Sequence, residues 1–332
     1  MPAFFDQGFT VRIPAWHQLA TVLEDYPGRE EAMELAGHDY RVLEFPVRLD
    51  GEAPPDEITE QWTIEFGSPF DTWKALIHEK TGAVLNIVRD SYTVIQNEVG
   101  WDIIDALVGE GARYETGITL KNGAVCLVTV MLDEPVQISG DDSLILPYGV
   151  VRWAHDGTAS MSCRSTSVRV VCSNTDEASA MQAKKLGTDF TFKHTKNVME
   201  KIEDAKMAIR GIRLGHEEFV RLSEELAKQK VTVEQRELFV TEFLPMPPTA
   251  LISDRVVANV EQGRTLVRNL FDGPTIPEKH KLTAYGLRLA GVEYLDHLRG
   301  YNNNDTYVGR QLLRTEPAKK QLGKLIREVV KT

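Results

Sequence analysis

The stretch Tyr114-Glu115-Thr116-Gly117-Ile118-Thr119-Leu120-Lys121-Asn122-Gly123-Ala124-Val125-Cys126-Leu127-Val128-Thr129-Val130-Met131-Leu132 decides the fold class. Two runs rich in apolar and β-branched residues, Tyr114 to Leu120 and Ala124 to Leu132, flank Lys121-Asn122-Gly123. Asn-Gly between such runs is a strong hairpin signal, because both residues tolerate the positive φ of a tight turn. A hairpin implies antiparallel pairing. Upstream, Ala83 to Val88 and Tyr92 to Gln96 read as strands. Glu98 to Val108 reads as an amphipathic helix, with Val99, Ile103, Ala106 and Leu107 at helical spacing and Gly109 as its stop. The order strand, strand, helix, hairpin predicts an α+β fold with an antiparallel sheet and packed helices, not a doubly wound parallel one.

Further out, Gly28 to Ala36 reads as a short helix with Glu30 and Glu31 at its positive end, and Tyr40 to Arg48 as a strand. The Gly-, Pro- and acid-rich Asp50 to Thr59 is a loop. Ser143 to Ala154 continues the β region and His155-Asp156-Gly157-Thr158 turns it back into Ala159 to Cys163 and Val168 to Cys172. Asn174-Thr175 then reads as a helix N-cap. From Asp176 onward the pattern is helical, broken at Pro245, Pro247 and Pro248. The expected division is an α+β domain over residues 1–195 and a mainly helical region over residues 196–332.

The 332 residues carry a net charge of −11, distributed unevenly. Residues 1–150 hold 9 basic and 26 acidic side chains, and residues 151–332 hold 29 and 23. A generally basic coat for polyanions is therefore excluded, but a confined basic track is not. The longest uncharged apolar run, Gly123 to Leu132, is half the roughly 20 residues a membrane helix needs. Three cysteines, Cys126, Cys163 and Cys172, make no disulfide framework and fit a reducing compartment.

Catalytic signatures are missing. There is no phosphate-binding Gly-x-x-x-x-Gly-Lys loop, no nucleophile elbow, no second histidine after His216-Glu217, and no paired Cys-x-x-Cys. No cofactor and no metal is expected. His155-Asp156 reads as turn chemistry or as an oriented imidazole, and Cys172 as a small buried hydrophobe or a nucleophile. The segment Cys163 to Thr175 is richer. In an extended chain Ser165, Ser167 and Arg169 share a face, offering hydroxyl and guanidinium donors that suit phosphate oxygens. Lys184, Lys185, Lys193, His194 and Lys196 follow. The alternative is a sheet edge protected by charge.

Four blocks carry a family resemblance: Trp16-His17 with Gly28 to Gly37, Tyr92 to Asp105, Tyr114 to Gly123, and His155 to Thr175. With Lys193-His194-Thr195 and Glu293 to His297, they resemble a family found in bacteriophages and plasmids and known as domain of unknown function 932. That resemblance implies the cytoplasm of a bacterial host and no established reaction. The element order is also similar to the core of phage single-strand annealing proteins, a likeness of topology alone. The expected function is thus a non-catalytic, oligomeric protein that holds single-stranded DNA for annealing or protection in recombination or replication. Arg152, Arg164, Arg169, Lys193 and Lys196 would hold phosphates, and Trp153 would stack bases. The alternative is an accessory protein that binds a host protein through its acidic face; enzymatic action by Cys172 or His155 ranks last.

Overall fold

A computed structural model describes residues 5–11, 20–48, 69–109, 111–132, 135–157, 160–169, 174–176, 189–192, 202–248, 253–299 and 317–332. The chain opens with β1 (Phe5–Val11), β2 (Thr21–Leu23), α1 (Arg29–Ala36), β3 (Val42–Arg48), β4 (Pro69–His78) and β5 (Val84–Arg89). Then come α2 (Asn97–Gly109), β6 (Arg113–Leu120), β7 (Val125–Met131), β8 (Ile145–Ala154), β9 (Met161–Arg169), β10 (Asn174–Asp176) and β11 (Asp189–Phe192). The helical part follows as α3 (Ile202–Lys228), α4 (Val233–Phe243), α5 (Asp254–Asp272), α6 (Ala284–Glu293) with a π-helical turn at Tyr294–Leu298, and α7 (Pro317–Lys331).

The α+β expectation holds, and the Asn-Gly hairpin is its centre. Asn122 and Gly123 take φ of 57° and 91°. The Ala124 amide donates to the Lys121 carbonyl at 3.1 Å, closing the turn. Leu120 and Val125 form the last cross-strand pair. From this hairpin an eight-stranded sheet grows in the order β10-β9-β8-β7-β6-β1-β2, with β11 also on β9. All its pairings are antiparallel except β1 with β2, which is parallel. Every residue of β7 is buried. A central strand covered on both faces has no reason to alternate, which explains the continuous apolar run.

One face of the large sheet carries Cys126, Val128, Val151, Trp153 and Cys163, and α1 and α2 close over it. Gly100 lets α2 approach: a Cβ there would sit 3.0 Å from the Trp153 ring. The second sheet, β3-β4-β5, turns Val42, Leu76 and Val88 inward to pack with Tyr40 and Ala124 beside the hairpin. The helices form their own cluster around Phe239, Val267, Phe271 and Tyr285, and it includes Ile138 from the β7–β8 connection and Ile145, the first residue of β8. That connection is held by polar contacts too. The Ser139 amide donates to Glu224 at 2.7 Å, and the Tyr285 hydroxyl to Asp141 at 3.2 Å.

Two expected elements differ. Tyr92 to Gln96 forms no strand. The Gln96 carboxamide instead bonds both the amide and the carbonyl of Val42 at 2.9 Å, doing with a side chain what a neighbouring strand does with its backbone. Asn174-Thr175 is not a helix cap but part of β10, paired with β9 from Asn174↔Arg169 to Asp176↔Ser167. The loop expected at Asp50 to Thr59 and the helix expected at Asp176 to Lys185 fall almost wholly outside the described residues. Of the strand expected at Val168 to Cys172, only Val168 and Arg169 are described, as the end of β9.

Gly123→Ala tests the turn. A side chain at φ 91° is strained, and its Cβ would overlap the His78 ring. The expected loss is about 3 kcal/mol in urea unfolding, with an unchanged m-value.

Candidate nucleic-acid interface

The interface is positioned by a buried polar network around Asn97, the first residue of α2. Asn97 is fully buried. Its Nδ2 donates to the carbonyls of His38 at 2.9 Å and Tyr40 at 3.1 Å. Its Oδ1 accepts from the Trp153 indole at 2.8 Å, His155 Nε2 at 2.9 Å and the Cys126 thiol at 3.6 Å. Two carbonyl partners on one side and an indole N–H on the other fix the orientation of the amide. His38 follows by the same logic. The Trp101 indole donates to its Nδ1 at 3.2 Å, so the proton sits on Nε2, which donates to the Ile118 carbonyl at 3.0 Å. Burial pushes His38 down to about 4 and the Cys126 thiol up to about 12. Both groups are therefore neutral at pH 7, as a water-free network requires. Tyr40 donates to the Gly123 carbonyl, stacks on His78 at 3.7 Å, and is shifted upward by burial.

These contacts answer the expectations at Trp153 and His155. Trp153 is fully buried with its indole on Asn97, so it offers no stacking surface for a base; the alternation of β8 turns it inward. His155 is also buried, and its Nε2 donates to the Asn97 carboxamide. Asp156 belongs to a turn in which Gly157 takes φ 71°, and it accepts from Lys121 at 3.0 Å.

The opposite face of the sheet carries the donors. Register defines two adjacent rows across it. One runs Thr10, Thr116, Thr129, Val150, Arg164, Asp189. The next runs Gly8, Ile118, Leu127, Arg152, Ser162, Thr191. Directly opposed residues of an antiparallel pair share a face. Arg152 and Arg164 therefore stand on one face, diagonal to one another, among hydroxyl-bearing positions. Thr116 donates to Thr10 at 3.3 Å, and Thr10, Thr116, Thr129 and Ser162 are buried, whereas Val150 and Arg152 are half-buried. Along β8 the less buried positions of this face are Val150 and Arg152. Asp189 opposes Arg164.

The expected single track thus divides. Position 169 opposes Ile145 and lies on the inward face with Ser165 and Ser167. Lys193, Lys196 and Cys172 lie outside the described residues. Sequence reasoning missed Asn97, His38 and the threonine row. A lone Asn at the head of an apolar helix was the signal available for the first.

A family model described as Domain of unknown function (DUF932) matches residues 84–321. The chain belongs to this family. The matched span starts at β5 and takes in Asn97, Arg152 and Arg164, while β1 to β4 and α1 precede it. Among curated proteins and among solved structures nothing matches the chain. No helix among the described residues is long and apolar enough to cross a membrane.

The network makes two predictions. Asn97→Leu strands two carbonyls and an indole N–H, and is expected to cost about 4 kcal/mol in chemical denaturation. The second concerns pH. His38 has a lowered folded-state pKa, so the unfolded chain takes up the proton first. Its stabilisation is complete above the ordinary imidazole value of 6.5 and drains away as pH falls toward 4, in total about 3 kcal/mol. His78 is lowered too, chiefly by burial, and acts in the same direction. Stability measured between pH 6.5 and 5 is expected to fall, with a shallower slope in His38→Gln.

Proposed function

We propose that this protein binds single-stranded nucleic acid without catalysis, holding phosphates on the outer face of β8 and β9. The carrying observation is the register that sets Arg152 and Arg164 diagonally on one face, with Thr166 on the same face. Guanidinium groups make charge-assisted, bidentate bonds to phosphate oxygens, and hydroxyls add neutral donors between them. A rigid sheet face presents such donors at fixed spacing. The acidic first 150 residues limit this to a local track, which suits a strand of nucleic acid laid along one face. Annealing or protection of single strands in a phage or plasmid setting, by an oligomer, is the biological form this reading takes, and it rests on the resemblance given above.

The test is fluorescence anisotropy with a labelled oligo-dT across a salt series. Binding is expected to weaken with salt at about 0.7 in log–log slope per phosphate held. Arg152→Ala with Arg164→Ala is expected to lower both the affinity and the slope. Absence of binding at low salt, or an unaltered slope in the double variant, would overturn the proposal.

A further inference from the structure

The three-stranded sheet has a second face that its packing does not use. Its inner face is spent on Val42, Leu76 and Val88. On the outer face register aligns Leu43 with Ile77 and Val84, Phe45 with Ala75 and Ile87, and Trp73 with Arg89. Phe45 is 50% exposed, Trp73 37%, Val84 64% and Ile87 50%. Large apolar side chains gathered on one exposed face mark a binding surface, unlike ones scattered singly.

Three features identify the occupant. The first is shape. Ala75 lies between Phe45 and Ile87, so a small residue floors a shallow trough whose walls stand two strand spacings, about 10 Å, apart. The second is the pairing of aromatic and cation. The Arg89 guanidinium lies over the Trp73 ring, 5.4 Å from its centroid. Rings and guanidinium planes on a sheet are surfaces on which unpaired bases stack. The third is charge. At the paired positions of this face the charged residue is Arg89; Glu44 and Lys74 share the other face and pair at 2.6 Å. The β3 edge is poorly suited to adding a strand from another protein: Pro46 has no N–H to donate, and an irregularity falls between Pro46 and Arg48.

We infer that the outer face of β3–β5, centred on Phe45, Trp73 and Arg89, is a stacking platform for the unpaired bases of single-stranded nucleic acid. The inference deepens the proposed function. It assigns base contacts to the small sheet and leaves phosphate contacts to β8 and β9. It also gives the stacking role to Trp73, an exposed tryptophan, where Trp153 is enclosed.

The experiment compares a labelled oligo-dT with an abasic oligonucleotide of the same length, which keeps the phosphates and lacks the bases. In the full chain, Phe45→Ala with Trp73→Ala is expected to weaken oligo-dT binding about tenfold or more and to leave the abasic strand's affinity unchanged. Ile87→Glu, which places an acid in the trough, is expected to weaken oligo-dT binding as well. Both sites are exposed, and circular dichroism checks that the variants fold. Equal oligo-dT affinity in the wild type and the folded variants overturns the platform while leaving the β8–β9 reading intact. Weakening in these variants with no change in Arg152→Ala plus Arg164→Ala supports the platform and overturns the β8–β9 reading. Failure of wild type to bind oligo-dT at low salt overturns both. A dimer in light scattering that Phe45→Ala plus Trp73→Ala converts to monomer, with DNA binding unaltered, makes the face a self-association surface and overturns the inference.

Discussion

The side chain of Asn97 is the constraint on which the rest depends. One carboxamide binds two carbonyls in the lead-in to β3, the indole of β8, the imidazole just after β8, and the thiol of β7. Three parts of the chain that are distant in sequence meet there. Away from water, each unpaired group would be costly, so the network forms completely or not at all. This is why α2 sits at one height against the large sheet and why the small sheet is held beside the β6–β7 hairpin. The neutral states of His38 and Cys126 follow from the same exclusion of water.

The proposed function uses two sheet faces that lie away from the closed inward one. On the large sheet, the face away from α2 bears Arg152 and Arg164 in adjacent rows with hydroxyls around them. On the small sheet, the face away from the hairpin bears Phe45, Trp73 and Arg89. In the proposed reading the first holds phosphates and the second stacks bases. Neither side chain set is continuous in sequence. Strand pairing assembles both, and the alternation of side chains decides which arginines and tryptophans take part.

Much of the architecture was legible beforehand. The Asn122-Gly123 turn, α1, α2, β3, β5 and the mostly helical C-terminal part follow from local signals: turn chemistry, acids near a helix start, and period-two or helical apolar spacing; the helices begin at Ile202, after β11, and not at Asp176. The misses have physical causes. In β1 the apolar residues are interrupted by Asp6-Gln7-Gly8, and its parallel partner β2 spans three residues. Tyr92 to Gln96 has strand composition, but a side chain takes the place of its ladder. Asn174-Thr175 has cap composition, yet pairing with β9 outweighs that local preference. Of the candidate residues, strand register sets Arg152 and Arg164 on one face and Trp153 and position 169 on the other, a division that sequence does not show because it gives neighbours along a strand and not which way each one faces the core.

The sequence by itself determined an α+β chain, a hairpin at Asn122-Gly123, an acidic first half and a helical second half, because turns, periodicity and charge are local properties. Only the tertiary structure decided that Trp153 is enclosed and Trp73 open, that Arg164 and Arg169 part to opposite faces, and that Asn97 holds the two sheets together. Those outcomes depend on strand register and on which face α2 covers, and both are set by contacts between residues dozens of positions apart.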